Sequence, residues 1–585
     1  MGFSREYSDT NISGGVPIKK NQQHLSVGTL IVIIAIIGII TSMSGCVSSP
    51  TDDSELGSAS GSESGSVSAS STSRASDELV VNVYSHTGEP ETGFDPLLGW
   101  GCGHVNFEPL IQSTLFKTDD EGGIINDLAT GYSASPDGKT WTINVRDDVK
   151  FTDGEKLTAE DVAFTFNTAV GSNSELDMSN LENARAVNDT AVEFNLKEPQ
   201  SSFIWRLRYV GIVPEHAYKK ETYGASPIGS GPYKLVQWDK GQQAIFELND
   251  NYYGQKPYFK KITMLFLDKD TAFAAAKSGN VDIAEIDITH ANQSINGYDI
   301  ISLPSSRAFG VSFPMQNNTG KKSLTGDTIG NNVTADIAIR KALNTGIDRK
   351  AILDGVIYGK GDVEYTGVDQ RTFGNPEARI KDSKPEEAIK ILEDAGWKDT
   401  DGDGIREKDG TKAEFKLYYS SSDQTRQALS VAVSEQAKKL GIKINLVGTN
   451  WDEIYANQYS SAVLYAYSSI DTFNLYQQYH TKEADDTYRN PGLYSNPFVD
   501  GYLETALRTS DQEQAIENWK LAAYDGNTGF GPSADATWLW LVTMDYLYAV
   551  DETVDMGTPE KNSGSDILGN IYEWTRTSAT DTAQK

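Results

Sequence analysis

The stretch LATGYSASPDGKTWTINVRDDVKFTDGEKLTAEDV, residues 128–162, carries a turn, a strand and a helix start in quick succession. Pro136-Asp137-Gly138 is a turn with a mechanism: Pro presets φ, Asp bonds its own backbone, and Gly accepts the left-handed conformation. Trp141, Ile143 and Val145 then alternate with Thr142 and Asn144, the period of a half-buried strand. Thr158-Ala159-Glu160-Asp161 places an N-cap residue three before an acid, which predicts a helix over 159–167. Gly138-Lys139-Thr140 looks like the end of a phosphate loop, but six residues separate Gly131 from Gly138 where that loop has four. The hairpin turn is the better account.

The same grammar extends in both directions. Leu79–Tyr84 reads as a first strand. Ser383-Lys384-Pro385-Glu386 combines an N-cap, a first-turn Pro and a third-position acid, followed by Ala388, Ile389, Ile391 and Leu392 at helical spacing and Gly396 as a stop. Residues 424–440 form an amphipathic helix closed by Gly441, and the strand Ile442–Val447 follows. Alternating helices and strands predict α/β lobes. Asp77 to Trp574 is roughly 500 residues, too many for one core, so two or more lobes are expected. No fixed-period repeat is present.

The N-terminus reads as an address. Lys19 and Lys20 precede the uncharged run LIVIIAIIGII (30–40), and Met43-Ser44-Gly45-Cys46 follows. The run is shorter than the ~20 apolar residues of a spanning helix. Small residues before a cysteine at the end of a short apolar core resemble a lipobox, in which the chain is cleaved before Cys46 and the new N-terminal residue acylated. An uncleaved signal anchor is the alternative. Residues 1–45 are thus a leader and 46–76 a Ser/Gly-rich tether too polar to fold. Either way the rest of the chain is expected outside the cell, held at the outer face of the cytoplasmic membrane.

Composition narrows the function classes. A formal net charge of −31 argues against a nucleic-acid partner, which needs basic patches. Cys46 and Cys102 are the only cysteines, so an acylated Cys46 leaves Cys102 unpaired. The folded region has no His-Glu-x-x-His, Cys-x-x-Cys or Gly-x-Ser-x-Gly pattern, so no enzyme and no cofactor is expected. Asp399-Thr400-Asp401-Gly402-Asp403-Gly404 resembles the start of a calcium loop, yet Gly410 stands where the closing acid belongs, and an acidic surface turn is the simpler reading. Cys102-Gly103-His104 joins a soft and a borderline ligand, which with His86 or His480 would suit a transition metal; a buried thiol beside an ordinary histidine is the alternative. Asn188, Asn292, Asn317 and Asn332 begin sequons.

Several blocks together resemble one family. Leu128–Val162 looks like the signature of the peptide/nickel solute-binding proteins of ABC transporters. Gly229-Ser230-Gly231-Pro232-Tyr233-Lys234, Asn251–Tyr258, Ile339–Leu343 with Gly346–Arg349, Ala388–Trp397 and Tyr494–Asp500 follow in family order, spanning about 79 to 550.

The resemblance implies a two-lobed, class II periplasmic-binding-protein-like α/β fold with an extra subdomain in the first lobe and a two-strand hinge. By it, lobe I is 77–308 plus 538–585 and lobe II is 309–537, with hinge strands near Arg307–Phe313 and Trp538–Tyr546. It implies a monomer that captures an oligopeptide-like solute and delivers it to ABC permease subunits. The loop after the first strand, with Trp100, Gly101, Cys102 and Gly103, would face the ligand. Tyr467 and Asp471 would meet a peptide's N-terminus, since an ammonium group gives a buried carboxylate a partner. The same resemblance allows a chelated nickel ion, with His480 and His104 as its ligands; relatives of that kind also use arginines, and Arg206 and Arg208 are the nearest here.

Overall fold

The computed structural model describes residues 75–83, 88–90, 92–98, 110–119, 123–170, 178–324, 326–468, 472–484, 489–559 and 567–577, and all of them belong to one compact unit, 71–585. The leader, Cys46, the tether up to residue 74, Trp100 to His104, His86 and Asp471 lie outside the described residues. No described helix is long and apolar enough to cross a membrane.

Three sheets organise the chain. The first has seven strands in the order Tyr298–Leu303, Tyr546–Asp551, Ile283–Ile286, Glu78–Asn82, Lys261–Leu265, Gln243–Leu248 and Tyr233–Asp239. Glu78–Asn82 runs parallel to both neighbours at its centre, and the outer pairs are antiparallel. The second has five strands: Lys443–Thr449, Glu414–Ser420, Ala462–Ser468, Arg307–Ser312 and Trp538–Thr543. Its first three are parallel and its last three antiparallel. Strands buried on both faces read as continuous apolar runs, and Trp538–Thr543 (WLWLVT) is buried throughout. Its leucines join Phe309, Val311 and Leu464 on one face, and its tryptophans join Ala308, Val463 and Tyr465 on the other.

The third sheet is antiparallel, with strands Ala129–Ala134, Thr140–Val145, Ala191–Leu196 and Leu181–Asn188, and it holds the opening stretch. Gly138 sits at φ +68°, as the turn requires. Trp141, Ile143 and Phe194 pack with Val162 and Phe166 of the helix Ala159–Val170, which runs three residues beyond the expected 167. Asp161 Oδ2 accepts from the Thr158 backbone N–H at 2.9 Å, the reach-back half of the expected capping pair. Thr152, just past this sheet, donates its N–H to Gly229 O at 2.9 Å beside the seven-stranded sheet; there Gly231 N–H donates to Ile111 O at 2.8 Å, and a Cβ on Gly231 would stand 2.6 Å from Leu110 O. That crowding explains the glycines of Gly229-Ser230-Gly231.

One cap differs from expectation. Lys384, not Ser383, is the N-cap of the helix Pro385–Asp394. A proline disfavours helical geometry in the residue before it, so Lys384 stays outside the helix, and Ser383 turns to φ +57° and donates from Oγ to Asp348 Oδ2 at 2.9 Å.

The chain passes from the seven-stranded to the five-stranded sheet at 304–306 and returns at 544–545. The two crossings are bonded side by side, Ser305 Oγ donating to Met544 O at 2.6 Å. Each sheet has an apolar cluster of its own, and a third cluster runs past the crossings from Ala284, Ile286, Leu547 and Ala549 of the first to Phe309, Val311 and Leu541 of the second; the two sheets make a two-lobed α/β protein.

Candidate functional site

Open α/β sheets bind ligands beyond the carboxyl ends of their parallel strands. Here those ends belong to Glu78–Asn82, Lys261–Leu265 and Ile283–Ile286 in one lobe, and to Glu414–Ser420, Lys443–Thr449 and Ala462–Ser468 in the other. The chain leaves the end of Glu78–Asn82 into the segment holding Trp100 to His104, and leaves Ala462–Ser468 into the segment holding Asp471.

Tyr467 lies near that end, half-buried, opposite Ala308 of the crossing strand. Its ring meets Trp538 edge-on at 5.6 Å and Trp540 at 6.4 Å; the two indoles stack at 4.7 Å. Trp540 Nε1–H donates to the Tyr479 hydroxyl at 3.2 Å, and Tyr479 stacks on Phe530 at 3.8 Å. Space for these rings comes from glycine: a Cβ on Gly310 would lie 2.6 Å from Trp540 Cε3, and one on Gly367 2.7 Å from Cε2. The result is a rigid aromatic wall ending in Tyr467. Toward the rim, Arg426 pairs with Asp423 at 2.5 Å and lies 5.1 Å over the Trp451 ring. Burial lowers the Arg426 pKa against the opposing pull of Asp423, but a guanidinium stays charged.

A second cluster begins at Phe473, two residues past Asp471. The Arg206 guanidinium lies 4.7 Å over its ring, and Phe473, Tyr476 and His480 stack in series. His480 is only 2% exposed. Its Nδ1 accepts the Lys482 backbone N–H at 3.0 Å, which puts the ring proton on Nε2, and Nε2 faces Glu504 Oε1 at 3.3 Å. Burial lowers the His480 pKa, with Asp500 and Glu504 opposing, so the ring is neutral near pH 7.

The family model for bacterial extracellular solute-binding proteins, family 5 (middle), matches residues 123–510. Protein XP55 of Streptomyces lividans is 32% identical over 510 residues, covering 82% of this chain and 86% of that protein. This chain belongs to family 5 of the extracellular solute-binding proteins. Two further relatives of this solute-binding protein differ in their names: the oligopeptide-binding protein AppA of Bacillus subtilis (26% identical; 80% of this chain, 87% of that one) and the nickel-binding periplasmic protein of Escherichia coli (26%; 70% and 80%). Two solved structures share its fold. NikZ from Campylobacter jejuni with Ni(L-His) has a TM-score of 0.69 at 22% identity, covering 86% of this chain and 100% of that one. Bacillus subtilis AppA with a nonapeptide has 0.64 at 24%, covering 86% and 99%.

Of the residues expected at the binding site, Tyr467 stands on the aromatic wall, His480 and Arg206 in the buried stack, and Arg208 over the Tyr209 ring at 4.4 Å, while Trp100 to His104, His86 and Asp471 lie outside the described residues. Sequence reading missed Trp538 and Trp540 as wall residues, although the alternation in WLWLVT was the available signal. It also missed the Arg206–Phe473 contact, which no local pattern announces. In the acidic turn, Asp399, Asp401, Asp403 and Glu407 bring carboxylate oxygens within 4.8 Å of one another. Lys412 bonds Asp403 there and lies 3.1 Å from Asp401, and its ammonium lowers the Asp403 pKa. The turn is closed by its own lysine.

Proposed function

We propose that this protein is a receptor, tethered to the outer face of the cytoplasmic membrane, that captures an oligopeptide-like solute and delivers it to an ABC permease. The observation that carries the peptide reading is the state of His480. It is buried, its Nδ1 is engaged by a backbone N–H, and its proton sits on Nε2, which leaves no ready lone pair for nickel. Tyr467, the half-buried end of the wall, offers a flat apolar ring to a ligand's side chains, held in place by the buried Trp538 and Trp540 behind it. Asp471, four residues on, supplies a carboxylate for the peptide's ammonium group. The 26% identity to an oligopeptide-binding protein supports the same reading.

In this reading 77–303 with 546–585 forms lobe I, the four-stranded unit is its extra subdomain, and 307–543 forms lobe II; the boundaries expected at 308/309 and 537/538 shift because Arg307–Ser312 and Trp538–Thr543 pair within the five-stranded sheet. The paired crossings at 304–306 and 544–545 act as the hinge. A ligand that binds the closed state better than the open one drives closure. Capture and release require no covalent step, so no catalytic residue is assigned. Residues 1–45 form the leader, Cys46 carries the lipid and 46–76 is the tether.

Native mass spectrometry of the protein purified without added ligand, then denatured, tests the solute. A ladder of released peptide masses supports the reading; a single adduct with nickel's isotope pattern replaces it with chelated nickel, as the nickel-binding relative allows. Asp471→Asn should weaken a free-amine peptide by about tenfold, on the order of one charge-assisted hydrogen bond, and leave an N-acetylated peptide unaffected; equal losses remove the ammonium role. Cys46→Ala should move the protein from membranes to the soluble fraction in a cell-fractionation blot, and a variant still membrane-bound favours the uncleaved anchor.

A further inference from the structure

The described apolar clusters keep the four-stranded unit and the second lobe apart: Trp141, Phe166 and Phe194 belong to one, Tyr479, Leu503 and Trp519 to another. Yet one short loop of the first reaches into the second. Ser201 donates its backbone N–H to Leu507 O and its Oγ–H to Ala506 O, each at 2.8 Å, across more than three hundred residues of sequence. Those carbonyls belong to the last turn of the helix Pro497–Arg508, where no intrahelical donor remains. The Ser201 carbonyl in turn accepts from Gln512 Nε2 at 3.1 Å, at the start of the helix Gln512–Ala523.

Two further contacts flank this junction. A Cβ on Gly138, in the Pro136-Asp137-Gly138 turn, would stand 3.3 Å from Arg508 O, so the turn runs along the same helix end. At the far end of the short helix Phe203–Arg206, Arg206 covers Phe473 beside the segment of Asp471. Ser201 is 3% and Arg206 6% exposed, so both are dry as described. Even so, each hydrogen bond at the junction ends on a carbonyl that water can serve equally well when the surfaces part. A fixed joint would bury a shared apolar core; this contact is polar, apart from one cation–π pair.

We propose that Ser201, Gln512 and Arg206 form a clasp between the lobes, made when the cleft closes and broken when it opens, whose role is to slow ligand release. They are positioning residues: they hold the walls of the cleft together without meeting the solute through the groups described. The clasp rests on the reading of this protein as a receptor that closes over its ligand. A clasp that forms after encounter acts on dissociation and leaves association unchanged.

Backbone hydrogen exchange in the full chain, with and without a tryptic digest of casein as the ligand probe, tests it. The Ser201 amide should exchange much faster than the amides of Thr140–Val145 without the digest, and at least about tenfold more slowly with it. For the retained peptides, the double variant Ser201→Ala/Gln512→Ala, which deletes two hydrogen bonds, should raise the dissociation rate about tenfold with an unchanged association rate. Gln512→Ala alone, at a partly exposed position that folding does not depend on, should show part of that rise. A Ser201 amide that exchanges with the core strand under both conditions makes the contact a fixed joint and overturns the clasp. So does a double variant that releases peptide at the wild-type rate. If no casein peptide binds, the peptide reading falls while the clasp is still judged on exchange without digest: a Ser201 amide that exchanges much faster than the amides of Thr140–Val145 supports it, and protection equal to the core strand overturns it.

Discussion

The two faces of the five-stranded sheet are made by the same strands and do different work. One face presents Leu539, Leu541, Val311 and Leu464 to helices packed on it, an aliphatic core of ordinary kind. The other presents Trp538, Trp540, Tyr465 and Tyr467, with Gly310 and Gly367 kept bare to make room. Aliphatic side chains fill space in many ways, and a core of them tolerates repacking. Stacked rings with polar edges hold a fixed orientation, as Trp540 does through Tyr479. Both faces bury a core under helices, but the aromatic one is held in fixed orientation and ends in the half-buried Tyr467, near the carboxyl end of its strand.

This contrast can be broken in three ways, in descending size. Trp540→Ala should cost about 4 kcal/mol and Leu541→Ala about 3 kcal/mol in urea unfolding. Only the first should also weaken capture of the solute measured by calorimetry; equal loss of binding in both means that the faces are not functionally distinct. Gly310→Ala comes next. Its new Cβ would press on Trp540 within a buried strand, for about 2 kcal/mol of overpacking. A variant as stable as wild type shows that the indole has room to move and that the wall is not rigid.

The smallest effect is a pH dependence confined to the aromatic side. Glu364, 1% exposed, accepts the Asp369 N–H at 2.8 Å, and Asp369 pairs with Arg379 at 3.2 Å. Burial, reinforced by Asp369, pushes the Glu364 pKa well above its usual 4.5. A raised acid pKa means that the folded state holds a proton the unfolded state has lost. Its contribution is therefore full below pH 4.5 and declines as pH rises from there through the folded value. Glu364→Gln lacks that decline and should exceed wild type by about 1 kcal/mol at pH 9, since one pKa unit is worth about 1.4 kcal/mol. Parallel stability profiles from pH 5 to pH 9 would remove Glu364 as the titrating group.

Much of the fold was legible because its signals are local. The Pro136-Asp137-Gly138 turn, the Trp141–Val145 alternation and the Thr158–Asp161 cap each depend on neighbours within a few residues, and each is found in its element. Ser383 misled because two local rules collided, a good capping residue against a proline that governs the residue before it. The site was less legible for a different reason. Tyr467 could be picked out by its segment, but its partners Trp538 and Trp540 come from about seventy residues later in the chain, joined only by sheet register. Arg206 on Phe473 and Ser201 on Leu507 are longer-range still, and nothing in either segment alone points to the other.

The acidic turn at 399–407 carries a consequence for where such a protein works. Lys412 brings an ammonium group among Asp401, Asp403 and Glu407 on a side chain of the same polypeptide. A borrowed cation follows the medium: it dissociates where the free ion is scarce and is stripped by a competing chelator. A cation attached by covalent bonds keeps its concentration at the carboxylates constant whatever bathes the cell surface. The turn therefore carries its own counter-charge and needs no bound metal to offset its carboxylates.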